Sequence, residues 1–248
     1  MRSPSRQAVS PPLVSVGMAL PPSVPDWMRP AGLPTHRMPS AQALQRLIAG
    51  NGRHRRESAG ESQASGDVTP AGFPFALVVG CLEPGAAGED LFAERPGAIE
   101  CVRTAGPSLG QDTMAAIEYA ALVQNVGVVL VLGHRDCGVV STAKNAREVG
   151  DLRLPGALHT WVASAAAGSA ALPVKGVTAD AVTGHVRALR AQLRKADSLL
   201  SLTRSGQLKI AGGVLDDDTR GIEFLPDEPD EVVEPVGMPR PDPSRYGS

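Results

Sequence analysis

Two short apolar runs, Phe75-Ala76-Leu77-Val78-Val79-Gly80 and Val126-Gly127-Val128-Val129-Leu130-Val131-Leu132-Gly133, constrain the fold of this chain most. Neither alternates apolar with polar residues, so neither suits a sheet with one wet face. Both read as strands buried on two sides of a parallel sheet. Between them lie a further short strand, Ile99 to Val102, and a helix from about Asp112 to Gln124. This strand–helix alternation predicts an α/β fold, a mostly parallel central sheet flanked by helices. In such sheets ligands bind beyond the carboxyl ends of the strands.

Chemistry-bearing residues stand at those ends. Cys81 follows the first run, and Gly133-His134-Arg135-Asp136-Cys137-Gly138 closes the second. Together they offer two thiolates and one imidazole, three soft zinc ligands with no fourth. Structural zinc sites close their tetrahedron with four protein ligands, whereas catalytic ones leave a position for water or substrate. Taken alone, Cys81 reads more often as a small buried hydrophobe. Cys101 lies inside a strand and reads as core.

At this point the chain resembles the beta-class carbonic anhydrases. Cys81 matches the first zinc cysteine of that family, and Gly133 to Gly138 matches its GHxxCG motif. Arg103-Thr104-Ala105-Gly106 is similar to the family's Arg-x-Ala-Gly strand end, and Ile117-Glu118-Tyr119-Ala120 to its Leu-Glu-Tyr-Ala helix. Leu208 to Gly213 followed by Gly221 to Leu225 looks like its closing strand pair, and Ala43 to Asn51 like its leading helix. The resemblance implies an antiparallel edge strand on the parallel sheet. It also implies zinc held by Cys81, His134 and Cys137, and reversible hydration of carbon dioxide to bicarbonate and a proton. A homodimer or larger assembly is expected, because subunits of the family share active-site walls.

One departure bears on activity. The family's Cys-x-Asp-x-Arg reads here Cys81-Leu82-Glu83-Pro84-Gly85. Glu83 carries its carboxylate one methylene farther out, and Gly85 supplies no guanidinium to lock it with paired charge-assisted bonds. Three destinations stay open to Glu83: the metal, its water, or solvent. It is the only motif residue available to orient a hydroxide. Pro107 stands where many relatives have Asn. Two alternatives therefore accompany carbon dioxide hydration: a zinc hydrolase acting on an analogue such as carbonyl sulfide or carbon disulfide or on another small substrate, and a catalytically impaired zinc-binding homologue.

The remaining sequence sets bounds. A net charge of −2 argues against nucleic-acid or membrane partners. Three cysteines, two of them assigned to metal, give no disulfide framework, which fits the cytoplasm. Residues 1–39 are Pro/Ser-rich and read as a disordered extension, 40–225 as the zinc domain, and 226–248 as an acidic Pro-rich disordered tail. Ser40 is the expected N-cap of a helix through Ile48, stopped by Gly50, and Arg53 to Thr69 is expected to be loop. A single helical region is expected from about Ala179 to Leu200. His159 and His185 read as ordinary histidines. Arg135 and Asp136 read equally as support for the ligands or as surface residues. Leu91, Phe92 and Tyr119 are expected in the core or a subunit contact, and Asp216-Asp217-Asp218 in a strand-joining turn with no metal role.

Overall fold

A computed structural model gives the fold and describes residues 24–28, 32–33, 36–60, 72–83, 85, 88–149, 156, 159, 161 and 178–227. Most of the Pro/Ser-rich extension and all of the acidic tail beyond residue 227 lie outside the described residues.

Both apolar runs form strands as expected: β1, Ala76–Cys81, and β3, Val128–His134, are buried along their whole length. They share a sheet with β2, Ile99–Thr104, β4, Lys209–Leu215, and β5, Ile222–Phe224. The strand order is β2-β1-β3-β4-β5. The first three pairings are parallel and the β4–β5 pairing is antiparallel, so the mostly parallel sheet with an antiparallel edge stands.

Side chains alternate between the two faces, and each face has its own core. Leu77, Val79, Cys81, Val129 and Val131 pack under α2, Gln111–Glu118, α3, Gly138–Val149, α4, Thr178–Arg194, and α5, Asp197–Arg204. Ala76, Val78, Val128, Leu130 and Leu132 pack on Ala43 and Leu47 of α1, Ser40–Ser58, and on Leu91 and Phe92. Hydrocarbon thus covers both faces of the parallel strands, which is why their sequences need no polar alternation. Tyr119, expected in the core or a subunit contact, is 45% exposed in the single chain, which leaves it out of the core and available to a subunit contact. No helix among the described residues is long and apolar enough to cross a membrane.

Three expected element boundaries are corrected. Helix α1 does not stop at Gly50 but runs on to Ser58, taking in Arg53, which was expected in a loop. Gly50 is there for space: a Cβ on it would lie 2.2 Å from the Phe92 carbonyl oxygen. The next residue, Asn51, is buried and fully bonded, donating to the carbonyls of Leu91 and Arg220 and accepting from the Ile222 N–H. Tertiary contacts thus override the helix-stopping tendency of glycine. Ser40 is the first residue of α1 rather than its cap, and its hydroxyl donates to the Gly206 carbonyl. The region expected as one helix from Ala179 to Leu200 is two, α4 and α5, broken at Lys195–Ala196.

Candidate metal centre

Parallel pairing brings the carboxyl ends of β1, β3 and β4 to one edge. Cys81 is the last residue of β1 and His134 the last of β3. After His134 the chain turns at once, with the Cys137 N–H donating to the His134 carbonyl, and α3 begins at Gly138. This return places Cys137 Sγ 3.8 Å from Cys81 Sγ, both thiols fully buried. Glu83 comes in from the loop after β1. The donor atoms of Cys81, Glu83, His134 and Cys137 all lie within 4.8 Å of one another.

The donors fit a zinc ion. Two sulfurs bound tetrahedrally at about 2.3 Å from one zinc stand about 3.8 Å apart, the separation found. His134 Nε2 is buried with no directed hydrogen bond, although Glu83 Oε2 stands only 2.8 Å away. A buried ring nitrogen without a directed hydrogen bond, within 4.8 Å of two sulfurs and a carboxylate oxygen, is suited to coordination. The backbone N–H groups of Glu83 and Gly106 point at the Cys81 sulfur, and those of Val139 and Val140 at the Cys137 sulfur. Such donors stabilise thiolates and tune a bound metal.

Electrostatics separate the two cysteines. The thiol of Cys137 donates to Cys81, and that bond, outweighing burial and helped by His134, pulls Cys81 down to about 4. The same pairing and burial push Cys137 up. Burial opposes charge on His134, but Cys81 and Asp217 beside it win and raise it to about 9. Two sulfurs this close cannot both ionise unless a cation joins them.

Asp217 is the neighbour of the cluster that sequence reasoning missed. Its carboxylate lies 3.1 Å from His134 Nδ1, so the Asp run, read from sequence only as a turn, sets one residue against the cluster. The cause is register: His134 pairs with Leu215, and the β4–β5 turn starts beside it. Asp216 in the same turn pairs with Arg135 at 2.6 Å. The available signal was an acidic triplet at the carboxyl end of a parallel strand, the ligand edge of such sheets.

Glu83 points inward. Both carboxylate oxygens accept from the Gly138 N–H, at 3.2 and 3.3 Å, where the positive end of the α3 dipole favours an anion. Its loop is clasped by Arg103, whose guanidinium donates to the carbonyls of Cys81, Leu82 and Glu83 at 2.8–3.0 Å. The other candidates stay apart from the cluster. Cys101 is half-buried in β2, its thiol pushed up to about 12 by burial and then by Glu89 and Glu100, which makes it inert. His185 is buried, with Nε2–H donating to the Pro107 carbonyl at 2.7 Å and its ring edge-on to Trp161. His159 is exposed.

Known proteins place the chain. It is 34% identical over 112 residues to carbonic anhydrase 2 of Mycobacterium tuberculosis, a match covering 45% of this chain and 52% of that protein. The match thus spans about half the length of that relative. A carbonic anhydrase of Pseudomonas aeruginosa is 29% identical over 192 residues, 73% of this chain and 87% of that one. Among solved structures, a Coccomyxa beta-carbonic anhydrase in complex with acetazolamide superposes with a TM-score of 0.52 at 22% identity. That superposition covers 75% of this chain and 82% of the other, and it shows a common fold. The family model described as carbonic anhydrase matches residues 76–221, a span holding β1 to β4 and every donor of the cluster, and the chain belongs to the beta-carbonic anhydrase family.

Proposed function

We propose that this protein catalyses the reversible hydration of carbon dioxide with zinc held by Cys81, His134 and Cys137, residues 40–225 forming the zinc domain. The observation that carries this reading is the trio of soft donors on one strand edge, with the sulfurs 3.8 Å apart and an imidazole nitrogen lacking a directed bond. When bound, zinc supplies Lewis acidity that brings the pKa of water from 15.7 to about 7. The chain's own residues do the rest. Asp217 accepts from His134 Nδ1–H and so fixes the tautomer that leaves Nε2 free to bind metal. Glu83, its side chain 30% exposed, is the group that accepts a hydrogen bond from the nucleophile and passes a proton to solvent. Leu82, 54% exposed beside it, with Phe73 and Tyr119, offers apolar surface to a second copy of the chain. A homodimer in the cytoplasm, where its free thiols stay reduced, completes the proposal.

A second reading has one observation in its favour. Glu83 already lies within the donor cluster, and four protein donors make a closed set of the structural type. The chain would then be a zinc-binding homologue with impaired catalysis. Stopped-flow hydration assays on protein of known zinc content separate the two. Under the catalytic reading the wild type turns over carbon dioxide and Glu83→Gln is slower. Zinc-loaded wild type that is silent and Glu83→Ala that is active support the closed set. Turnover only of carbonyl sulfide or carbon disulfide overturns the substrate assignment.

A further inference from the structure

The motif departure at position 85 has a counterpart on the far side of the site. Gly85 lies at φ +75, in the left-handed region that side chains rarely adopt. Against its α-carbon sits the guanidinium of Arg220: a Cβ on Gly85 would lie 3.1 Å from Nη1 and 3.5 Å from Cζ. Arg220 Nη2–H donates to the Gly85 carbonyl at 2.7 Å. Arg220 itself holds φ +57, a conformation that glycine adopts freely and arginine seldom. Strain kept at one residue beside a site is a pointer to function. Its backbone is anchored as well, since the buried amide of Asn51 donates to the Arg220 carbonyl at 3.0 Å.

We infer that Arg220 is a positioning residue for Glu83, supplying across space the guanidinium that the loop after Cys81 lacks in its own sequence. The inference rests on the reading of Glu83 as the carboxylate that serves the metal site. Arg220 does not touch the carboxylate. It fixes the Gly85 carbonyl while Arg103 fixes the carbonyls of residues 81–83, so the loop is gripped at both ends. The Glu83 side chain between these grips is thereby kept on the Gly138 N–H. The extra methylene of Glu, relative to Asp, lets the carboxylate reach that N–H without a direct guanidinium clamp.

The test is Arg220→Gly, which suits the backbone conformation and so removes the guanidinium without forcing the turn to rearrange. Cobalt(II) loaded in place of zinc reports, through its visible spectrum and the pH dependence of that spectrum, both the donor set and the carboxylate beside the metal's water, independently of turnover. Arg220→Gly is expected to alter that spectrum and lower kcat about 10- to 100-fold, the usual effect of losing a group that orients a metal site's contents. Arg220→Lys, which keeps one donor to the Gly85 carbonyl, should fall between. In a cycle with Glu83→Gln, the double variant should be no slower than Glu83→Gln alone, because Arg220 acts through that carboxylate. A wild-type cobalt spectrum in Arg220→Gly overturns the assignment, and so do additive losses in the cycle. Wild type that binds cobalt but shows no turnover refutes the proposed activity, and the spectrum still decides the role of Arg220.

Discussion

The two strand ends that supply the donors are built by different means. At the end of β3, His134 and Cys137 are brought together by a turn that closes on itself and leads directly into α3. At the end of β1 only Cys81 is set by its own strand. Glu83, two residues on, is placed by groups remote in sequence: Arg103, Gly138 and Arg220. A local turn needs only backbone geometry and short spacing, whereas a loop gripped from elsewhere depends on the whole sheet having formed. Motif matching therefore reads the β3 end well and says less about the β1 end, where the groups around Glu83 come from elsewhere in the chain.

Breaking the local end should have the largest effect. Alanine at Cys81, His134 or Cys137 should drop zinc, measured by elemental analysis, from about one per chain to under about a tenth, because three donors are the minimum of such a site. Cys101→Ala, on the outer strand β2, should retain it. Full occupancy in Cys137→Ala would show that the β3 turn is not part of the site.

Next in size is the remote support of His134. Asp217→Asn should weaken zinc binding by about 10- to 100-fold in a chelator competition, as second-partner mutations of metal histidines do. Asp218→Asn, exposed on the same turn, should not. Equal effects of the two would reduce Asp217 to part of a diffuse acidic field.

Gly50→Ala sharpens the contrast at the level of stability. Helix propensity alone would favour alanine by about 1 kcal/mol. The collision with the Phe92 carbonyl at 2.2 Å should cost about 1–3 kcal/mol. A lower melting temperature is the expected sign, and a higher one would mean that the Phe92 segment yields easily.

The smallest effect concerns the loop after β2. Burial lowers the pKa of His185 below 6.5, against the pull of the Pro107 carbonyl. The unfolded chain then takes up the proton first, so stability from this residue is present above about pH 6.5 and lost as pH falls below it. His185→Gln should lose less melting temperature between pH 7.5 and 5.5 than wild type. An equal loss would assign the acid sensitivity to other groups.

Much of this was legible before any coordinates. The unbroken apolar runs of β1 and β3 identified strands buried on both faces, because only a doubly covered parallel sheet tolerates such runs. Cys81, His134 and Cys137 were legible as a set because the first two end buried strands, the third follows one short turn later, and all three match the family's motifs. Helix α1 was misjudged because Gly50 and Asn51 answer to Phe92 and the β5 turn, residues far along the chain. Asp217 was missed because its reach to His134 depends on the pairing of β3 with β4, a register that neither segment encodes alone.

By itself, then, the sequence determined the strands, the sheet edge and the three soft donors, since hydrophobic period and short spacing act over a few residues. The tertiary structure decided where the carboxylates go. Glu83 turns inward because the α3 terminus and the grip on its loop await it there, and Asp217 reaches His134 because two strands end level. Charged side chains on loops have many local conformations of similar energy. Only the fixed dipoles and cations of a folded neighbourhood make one of them prevail.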